Sequence, residues 1–172
     1  MVNDRELLKL ADTTIEVLRK RGLRVVAVES CTGGMVVSLL TAHAGASDVV
    51  EGGLITYSNT FKQDLVEVDR RTLDRDGAVS ETVVVEMAIG ALDCAVEANL
   101  AIAISGIAGP DGGTDEKPVG TVCFCLADDD GTRPICETRH FEGDRTAVRK
   151  AAAQHALELL IRGAEARDAQ SA

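Results

Sequence analysis

A short polar segment early in the sequence contains residue types that could perform acyl transfer. The segment ESCTGG places Ser30 and Thr32 immediately before Gly33 and Gly34. A serine hydroxyl becomes a nucleophile when a base removes its proton, and free backbone N–H groups at a helix start can bind the oxyanion that forms. Taken alone, the segment is explained more simply by a side chain that caps a helix. Cys31 is a second candidate nucleophile in the same segment.

Lys62 is the candidate base for such a nucleophile. It follows Tyr57 by five residues, on a predicted helix that begins just after a predicted strand. A lysine can act as a base when burial lowers its pKa enough to leave some of the amine neutral. The alternative is an ordinary solvated lysine on the surface. Tyr57 could orient a group or relay a proton, and it could equally be a core residue with its hydroxyl at the edge.

Two later features could bind an anion such as a phosphate. The Gly-rich loop 106–118 follows Ser105, and its backbone could wrap a phosphate, although it lacks the GxGxxG spacing of a dinucleotide site. Arg145 lies at the start of the last predicted helix, where a guanidinium could clamp a phosphate or a carboxylate. The alternative for Arg145 is a surface ion pair.

Helix and strand patterns alternate along the chain and indicate how these segments are positioned. Apolar runs bounded by turn residues predict strands at 24–29, 53–57, 100–105, 119–127 and 134–141. Helical spacing predicts a helix closed by Gly22, one that ends near Thr41, a short one capped by Asn59, a polar one over 69–76, one over 81–97, and one from about 144 to 161. This order of elements predicts a three-layer α/β sandwich with a mixed sheet.

The candidate segments each follow a strand in this scheme. In open α/β sheets, ligands gather in the crevice at the carboxyl ends of the strands, so we expect Ser30, Lys62 and Ser105 to converge there. Neither a linker nor an internal repeat interrupts the pattern. We therefore predict one domain over residues 1–165, followed by a frayed tail at 166–172.

The composition argues against several classes of protein. With 18 basic and 28 acidic residues the net charge is −10, which would repel a nucleic-acid backbone, and stacking side chains are few. No apolar run approaches the ~20 residues of a membrane span, and the N-terminus lacks the features of a signal peptide, so we expect a cytoplasmic protein. Five cysteines without a CxxC pair and three scattered histidines predict no metal site.

Five segments, taken together, resemble one protein family. They lie at 27–34, 53–62, 77–81, 105–122 and 141–145, and read AVESCTGG, GLITYSNTFK, GAVSE, SGIAGPDGG followed by EKPVGTV, and FEGDR. In their order and spacing they strongly resemble the C-terminal domain family of the competence/damage-inducible protein CinA, over about residues 5–162. The resemblance implies an α/β/α sandwich with a mixed, mostly parallel sheet, self-association with a dimer favoured, and no metal or other cofactor.

The resemblance also implies an activity, because stand-alone members of this family are nicotinamide-nucleotide amidases. They hydrolyse the carboxamide of nicotinamide mononucleotide to nicotinate mononucleotide and ammonia. Carried over by position, the catalytic residues are Ser30 as nucleophile, Lys62 as base, and Tyr57. The substrate-binding residues are Thr32, Gly33, Gly34, Ser47, Ser105, Gly106, Gly109 and Arg145.

Within this set we expect particular roles. The amides of Gly33 and Gly34 are expected to stabilise the oxyanion, and Arg145 with the loop 106–113 to hold the ribose phosphate. Ser105 departs from the threonine that many relatives carry but retains the hydroxyl.

Two other functions remain open at this point. The first is a non-catalytic module that binds a nucleotide or a protein partner and is linked to competence or recombination. The second is an amidase of the same mechanism that acts on another small amide, because pocket shape decides the substrate. The presence of Ser30, Tyr57, Lys62 and Arg145 together favours an active enzyme.

Overall fold

A five-stranded mixed sheet forms the centre of the computed structural model, which describes residues 3–131 and 134–170. The strands are β1 (Val25–Glu29), β2 (Val50–Ile55), β3 (Leu100–Gly106), β4 (Thr121–Asp128) and β5 (Ile135–His140). Their order across the sheet is β2-β1-β3-β4-β5. Strand β1 pairs in parallel with β2 and β3, whereas β4 pairs antiparallel with β3 and β5. Four of the five strands therefore point the same way.

Helices cover both faces of this sheet. They are α1 (Asp4–Lys20), α2 (Met35–Thr41), α3 (Asn59–Val66), α4 (Arg70–Asp76), α5 (Glu81–Cys94) and α6 (Arg145–Gln170). Helices α1, α2 and α6 bury their apolar faces in one core, and α3, α4 and α5 bury theirs in the other. The predicted single-domain α/β/α sandwich with a mixed, mostly parallel sheet is confirmed.

The central strand β1 is buried along its whole length. Val25 and Ala27 face the core with α1 and α6, whereas Val26 and Val28 face the core with α5. Alternate strand residues point to opposite faces, so a strand covered on both faces must be apolar throughout. This burial fixes the position of the residue that directly follows the strand, which is Ser30.

Several element boundaries differ from the prediction. Ser58, rather than Asn59, caps α3, because its hydroxyl accepts a hydrogen bond from the Phe61 amide at 3.1 Å. Helix α5 ends at Cys94 instead of 97, and α6 continues from the predicted end near 161 to Gln170. Residues 171 and 172 of the predicted tail lie outside the described residues.

Helix α6 is the longest helix of the chain. It has 26 residues, but polar and charged residues recur along it. Within residues 3–131 and 134–170, no helix combines the length and the apolarity needed to cross a membrane.

Candidate active site

Ser30 occupies a tight turn at the carboxyl end of the central strand. Its backbone N–H donates to the carbonyl of Ile104 on β3 at 2.9 Å, and its own carbonyl accepts from the Gly33 amide at 3.1 Å. Gly33 and Gly34 have φ angles of 60° and 91°, a left-handed backbone that glycine adopts without strain. The turn therefore holds a nearly buried serine at the edge of the sheet where the parallel strands end.

The carboxylate of Glu29 caps the helix that follows this turn. Glu29 is fully buried. Its Oε2 accepts from the amides of Gly34 at 2.9 Å and Val36 at 3.2 Å, and its Oε1 accepts from that of Val37 at 3.0 Å. A carboxylate at the start of a helix satisfies donors that would otherwise lack partners. The side chains of Ser30 and Thr32 do not cap α2, so the interpretation of this segment as a simple helix cap is wrong.

Lys62 lies beneath this turn and contacts the serine. Its Nζ donates to Ser30 Oγ at 3.0 Å and to the carbonyl of Thr56 at 2.7 Å. Only 1% of the lysine is exposed, so the alternative of a solvated surface lysine is wrong. Burial lowers the pKa of Lys62 to about 8, because removal from water disfavours the charged ammonium. The structure thus pairs a serine with a lysine that can be neutral near physiological pH.

Cys31 lies next to Ser30 but has different properties. Its thiol is buried, and this burial raises its pKa to about 12. A thiol becomes a strong nucleophile only as the thiolate. Cys31 is therefore protonated at neutral pH, and of the two candidates in the segment, Ser30 is the one in contact with a base.

Tyr57 and Arg145 meet at the rim of the site. Tyr57 is 60% exposed, so it is not a core residue. Its hydroxyl accepts from Arg145 Nη2 at 3.0 Å, and Arg145 Nη1 donates to the carbonyl of Gly109 at 2.9 Å. Arg145 thus joins the segment after β2 to the loop after β3, and no ion pair to it is found within residues 3–131 and 134–170.

A cavity of about 250 Å³ brings most of the predicted residues together. It is lined by Ser30, Cys31, Tyr57, Lys62, Ala78, Val79, Ser105, Gly106, Ala108 and Arg145. The three segments that follow β1, β2 and β3 therefore converge, as the sheet topology predicts. The cavity has a hydroxyl and an amine at its base and a guanidinium at its rim.

The residues at the end of β3 shape one wall of this cavity. Ser105 is buried, and its hydroxyl donates to the carbonyl of Ala78 at 2.7 Å. Gly106 has no room for a side chain, because a Cβ there would lie 2.7 Å from Val122 Cγ2 and 2.9 Å from the carbonyl of Thr121. Ser105 therefore fastens a neighbouring loop, and Gly106 lets β4 approach closely.

The structure does not bring Ser47 to this cavity. Ser47 is exposed, in a short 3₁₀ turn over Ala46–Asp48. Its carbonyl accepts from Arg24 Nη1 at 3.2 Å, and Arg24 directly precedes β1. Ser47 and Ser30 thus lie at opposite ends of β1, separated by about 17 Å of strand at the usual rise per residue. Within one chain, Ser47 cannot contact a substrate bound at Ser30.

The expected oxyanion role of Gly33 and Gly34 is also not supported. The Gly33 amide donates to the Ser30 carbonyl, and the Gly34 amide donates to the Glu29 carboxylate. Both donors already have partners within the turn. Thr32 is buried behind this turn, and no hydrogen-bond partner for its hydroxyl is found among the described residues.

The sequence analysis missed two residues that organise the turn. Glu29 is one, and Arg149 is the other, because its guanidinium donates to the carbonyls of Cys31 and Thr32 at 3.1 and 2.7 Å. Signals for both exist in the sequence. Glu29 is a charged residue that directly follows the apolar run 25–28 of a predicted strand, and Arg149 follows Arg145 by four residues, which places both on the same face of a helix.

The polar side chains of the candidate site are hydroxyls, one amine, one guanidinium and one thiol. Among residues 3–131 and 134–170, no group of three or more histidine, cysteine, aspartate or glutamate side chains could hold a metal ion.

Comparisons with known proteins identify the family of this chain. The sequence profile described as the CinA C-terminal domain matches residues 7–163. The chain belongs to the CinA C-terminal domain family. This CinA-type domain is 50% identical over 162 residues to a protein of Escherichia coli strain K12 named nicotinamide-nucleotide amidohydrolase PncC, and the match covers 92% of this chain and 95% of the relative.

Solved structures of the family share the fold. The competence/damage-inducible protein CihA of Agrobacterium tumefaciens is 41% identical, with a TM-score of 0.86 and coverage of 91% of this chain and 94% of that one. A CinA superfamily protein of Klebsiella pneumoniae is 36% identical, with a TM-score of 0.88 and coverage of 92% and 98%. The CinA-type domain described here therefore has a fold already seen by experiment in its relatives.

Proposed function

We propose that this CinA-type domain is a nicotinamide-nucleotide amidase, which hydrolyses the carboxamide of nicotinamide mononucleotide to nicotinate mononucleotide and ammonia. The observation that carries the proposal is the buried pair of Lys62 and Ser30, with Nζ and Oγ 3.0 Å apart. The name of the Escherichia coli relative, whose length this chain covers almost completely, supports the substrate.

The first half of the reaction forms an ester on Ser30. The neutral amine of Lys62 takes the hydroxyl proton, and Ser30 Oγ attacks the amide carbon. The C–N bond breaks as the Lys62 ammonium returns this proton to the leaving nitrogen, which departs as ammonia. The Thr56 carbonyl, 2.7 Å from Nζ, holds the amine in place throughout.

The second half removes the acyl group. Lys62, neutral again, takes a proton from a water molecule that attacks the ester carbon. The bond to Ser30 Oγ breaks, and the Lys62 ammonium protonates that oxygen. The enzyme returns to its starting state with the acid product bound.

Arg145 is proposed to bind the phosphate of the substrate. The cavity of about 250 Å³ is small for a whole ligand, since typical pockets measure about 300 Å³ or more. The carboxamide and ring would therefore enter the cavity, with the ribose phosphate at the rim. The Arg145 guanidinium lies at this rim beside the exposed Tyr57 hydroxyl, and charge-assisted bonds to phosphate are among the stronger hydrogen bonds.

The buried lysine also distinguishes an enzyme from a binding module. A buried ammonium costs folding free energy, and a module that only binds a nucleotide gains nothing from lowering the pKa of Lys62. The lysine therefore favours catalysis over the competence-linked binding function. We further propose that the enzyme acts in the cytoplasm on this small molecule, without nucleic acid or cofactor, as a homodimer. Size-exclusion chromatography with light scattering tests the dimer.

The test of the proposal is ammonia release from nicotinamide mononucleotide in the presence of a chelator. Wild type should release ammonia, and Ser30→Ala should lose the activity. The matched control is Ser38→Ala, because Ser38 is an exposed serine of α2. A panel with free nicotinamide and glutamine tests other amides. A wild type that binds the nucleotide but releases no ammonia would support the binding module instead. Faster ammonia release from another amide would identify that amide, and not nicotinamide mononucleotide, as the substrate.

A further inference from the structure

Arg149 bridges the two carbonyls that follow the serine. It lies on α6, one helical turn after Arg145, and is half-buried. Its Nε donates to the Cys31 carbonyl at 3.1 Å, and its Nη2 donates to the Thr32 carbonyl at 2.7 Å. Charge-assisted hydrogen bonds of this kind are roughly twice as strong as neutral ones. One side chain therefore fixes two consecutive peptide groups.

The rest of the turn is fixed by other groups. The Ser30 amide is bound to Ile104, and the Gly34 amide is bound to the Glu29 carboxylate. Between these two points, the Gly33 amide donates to the Ser30 carbonyl, and Arg149 is the side chain that holds the carbonyls of Cys31 and Thr32. Because the C=O and N–H of a trans peptide point in opposite directions, a carbonyl held by Arg149 fixes the next N–H on the other side.

Cys31 connects this turn to the cavity. It lines the cavity beside Ser30, and Arg149 holds its carbonyl. Loss of the two hydrogen bonds from Arg149 would release the turn that directly follows Ser30 and would displace the Ser30 hydroxyl from Lys62.

We propose that Arg149 is a positioning residue for the amidase reaction. It holds the turn that follows Ser30 in place and so keeps the Ser30 hydroxyl against Lys62. The proposal rests on the proposed function. It assigns Arg149 a different role from Arg145, although both guanidiniums lie on one face of the same helix.

The test compares Arg149→Met and Arg149→Lys with Arg162→Met. Arg162 is a matched control on the same helix, bound to the Glu137 carboxylate. Misplacement of reacting groups by about 1 Å costs about 100-fold in rate, so Arg149→Met should lower kcat by about that factor with little change in KM. Arg149→Lys should retain part of the wild-type kcat, and guanidinium ion added to Arg149→Met should restore part of it. Arg162→Met should keep the wild-type kcat.

Two outcomes separate this inference from the proposed function. An active wild type with an undiminished kcat in Arg149→Met, or a loss confined to KM, overturns the positioning role alone. A wild type that releases no ammonia overturns the proposed function and with it the reaction in which Arg149 would act. Hydrogen exchange should also become faster at the Thr32 and Gly33 amides, which belong to the two peptide groups that Arg149 holds, in Arg149→Met and not in Arg162→Met.

A second inference concerns a pair of cysteines on the other side of the sheet. Cys125 on β4 and Cys136 on β5 are directly opposite in the register, and their sulfur atoms are 3.2 Å apart. Opposed residues in antiparallel strands have Cα atoms about 4.5–5.5 Å apart, within the range that a disulfide requires. The pair can therefore close without movement of the strands.

The charged residues near Cys136 determine which oxidising reagents can approach its thiol. Cys136 is half-buried and lines a surface cavity of about 620 Å³, together with Glu81 and Glu86. Two carboxylates attract cations and repel anions. We infer that this thiol pair is a modification site for low-molecular-weight disulfides that carry positive charge.

The chemistry balances as two successive exchanges. The Cys136 thiolate attacks one sulfur of the reagent, which releases one small thiol and leaves a mixed disulfide. The Cys125 thiol then attacks the Cys136 sulfur of the mixed disulfide, and its proton passes to the departing small thiolate, which leaves as the second small thiol. The protein loses two protons and two electrons, and the reagent gains them.

The test treats the protein with cystamine or with oxidised glutathione, which is anionic. Mass spectrometry should show loss of two hydrogens and a Cys125–Cys136 peptide pair, formed about tenfold faster with cystamine at low salt. Cys136→Ser should abolish this product, and Cys94→Ser, at an exposed cysteine, should not. The double variant of Glu81→Gln and Glu86→Gln should react at similar rates with cystamine and with oxidised glutathione. Equal rates in the wild type, or no such pair, would contradict the inference.

Discussion

The pKa of Lys62 leads to a quantitative prediction about pH. Only the neutral amine can accept the Ser30 proton, and burial lowers the pKa of this lysine from 10.5 to about 8. At pH 7 about 9% of such a lysine is neutral, against about 0.03% at its ordinary pKa. Burial therefore raises the reactive fraction about 300-fold.

The assay measures kcat/KM for ammonia release from pH 6 to 10 at constant ionic strength. The value should rise about tenfold per pH unit well below pH 8 and become constant above about pH 9, because the free enzyme must have a neutral lysine. Thermal unfolding at each pH establishes that the protein stays folded over this range.

A variant tests whether the midpoint belongs to Lys62. Val79 lines the same cavity, and Val79→Asp places a carboxylate there. A nearby negative charge favours the ammonium, so the midpoint should move up by about one pH unit. Val79→Asn is the control without charge. A kcat/KM that does not change from pH 6 to 9, or a midpoint that is the same in Val79→Asp as in the wild type, would refute the role of Lys62 as base.

Three further predictions concern stability and substrate binding. Lys62→Met should lower kcat by about 1,000-fold. The variant also lacks the amine whose pKa differs between the folded and the unfolded protein. Between pH 8 and 10.5 the unfolded wild type holds a proton that the folded protein has released, so its free energy of unfolding, relative to the variant, should rise by about 3 kcal/mol across this window in denaturant titrations. Gly106→Ala should cost about 1–3 kcal/mol in the same titrations, because its Cβ would press on Val122. The control Gly52→Ala, where a Cβ meets nothing within 4 Å, should cost less. Arg145→Ala should raise KM by about tenfold or more while kcat changes less, if one charge-assisted bond to phosphate is lost.

Much of the fold could be predicted from the sequence because the strands and helices are strongly patterned. The continuous apolar run of β3 and the regular spacing in α1 leave few alternatives. Boundaries were less certain where polar residues extend an element. Helix α6 continues to Gln170 because alanine and leucine recur along it among charged residues that favour helix.

The burial of Lys62 was not evident from the sequence. Its neighbours on α3, Phe61 and Gln63, are exposed or half-buried, so the helix shows no regular apolar face that would mark the lysine as internal. What decides its position is the packing of α3 against α5 and the two acceptors, Ser30 and Thr56. Such long-range contacts depend on the assembled sheet.

The oxyanion role expected of Gly33 and Gly34 lacks support for a similar reason. Spacing alone suggested that the amides of Gly33 and Gly34 are free, but the buried Glu29 carboxylate and the Ser30 carbonyl accept them. Ser47 was assigned through the family resemblance, which carries no information on which end of β1 it occupies.

The most direct test of the central claim is to trap the covalent intermediate. Wild type is mixed with nicotinamide mononucleotide, quenched in acid within milliseconds, digested and examined by tandem mass spectrometry. The account predicts an acyl adduct on Ser30, with the mass of the substrate less ammonia, and no adduct in Ser30→Ala. An adduct on the adjacent Cys31, or ammonia release without any acyl adduct, would contradict a serine nucleophile activated by Lys62.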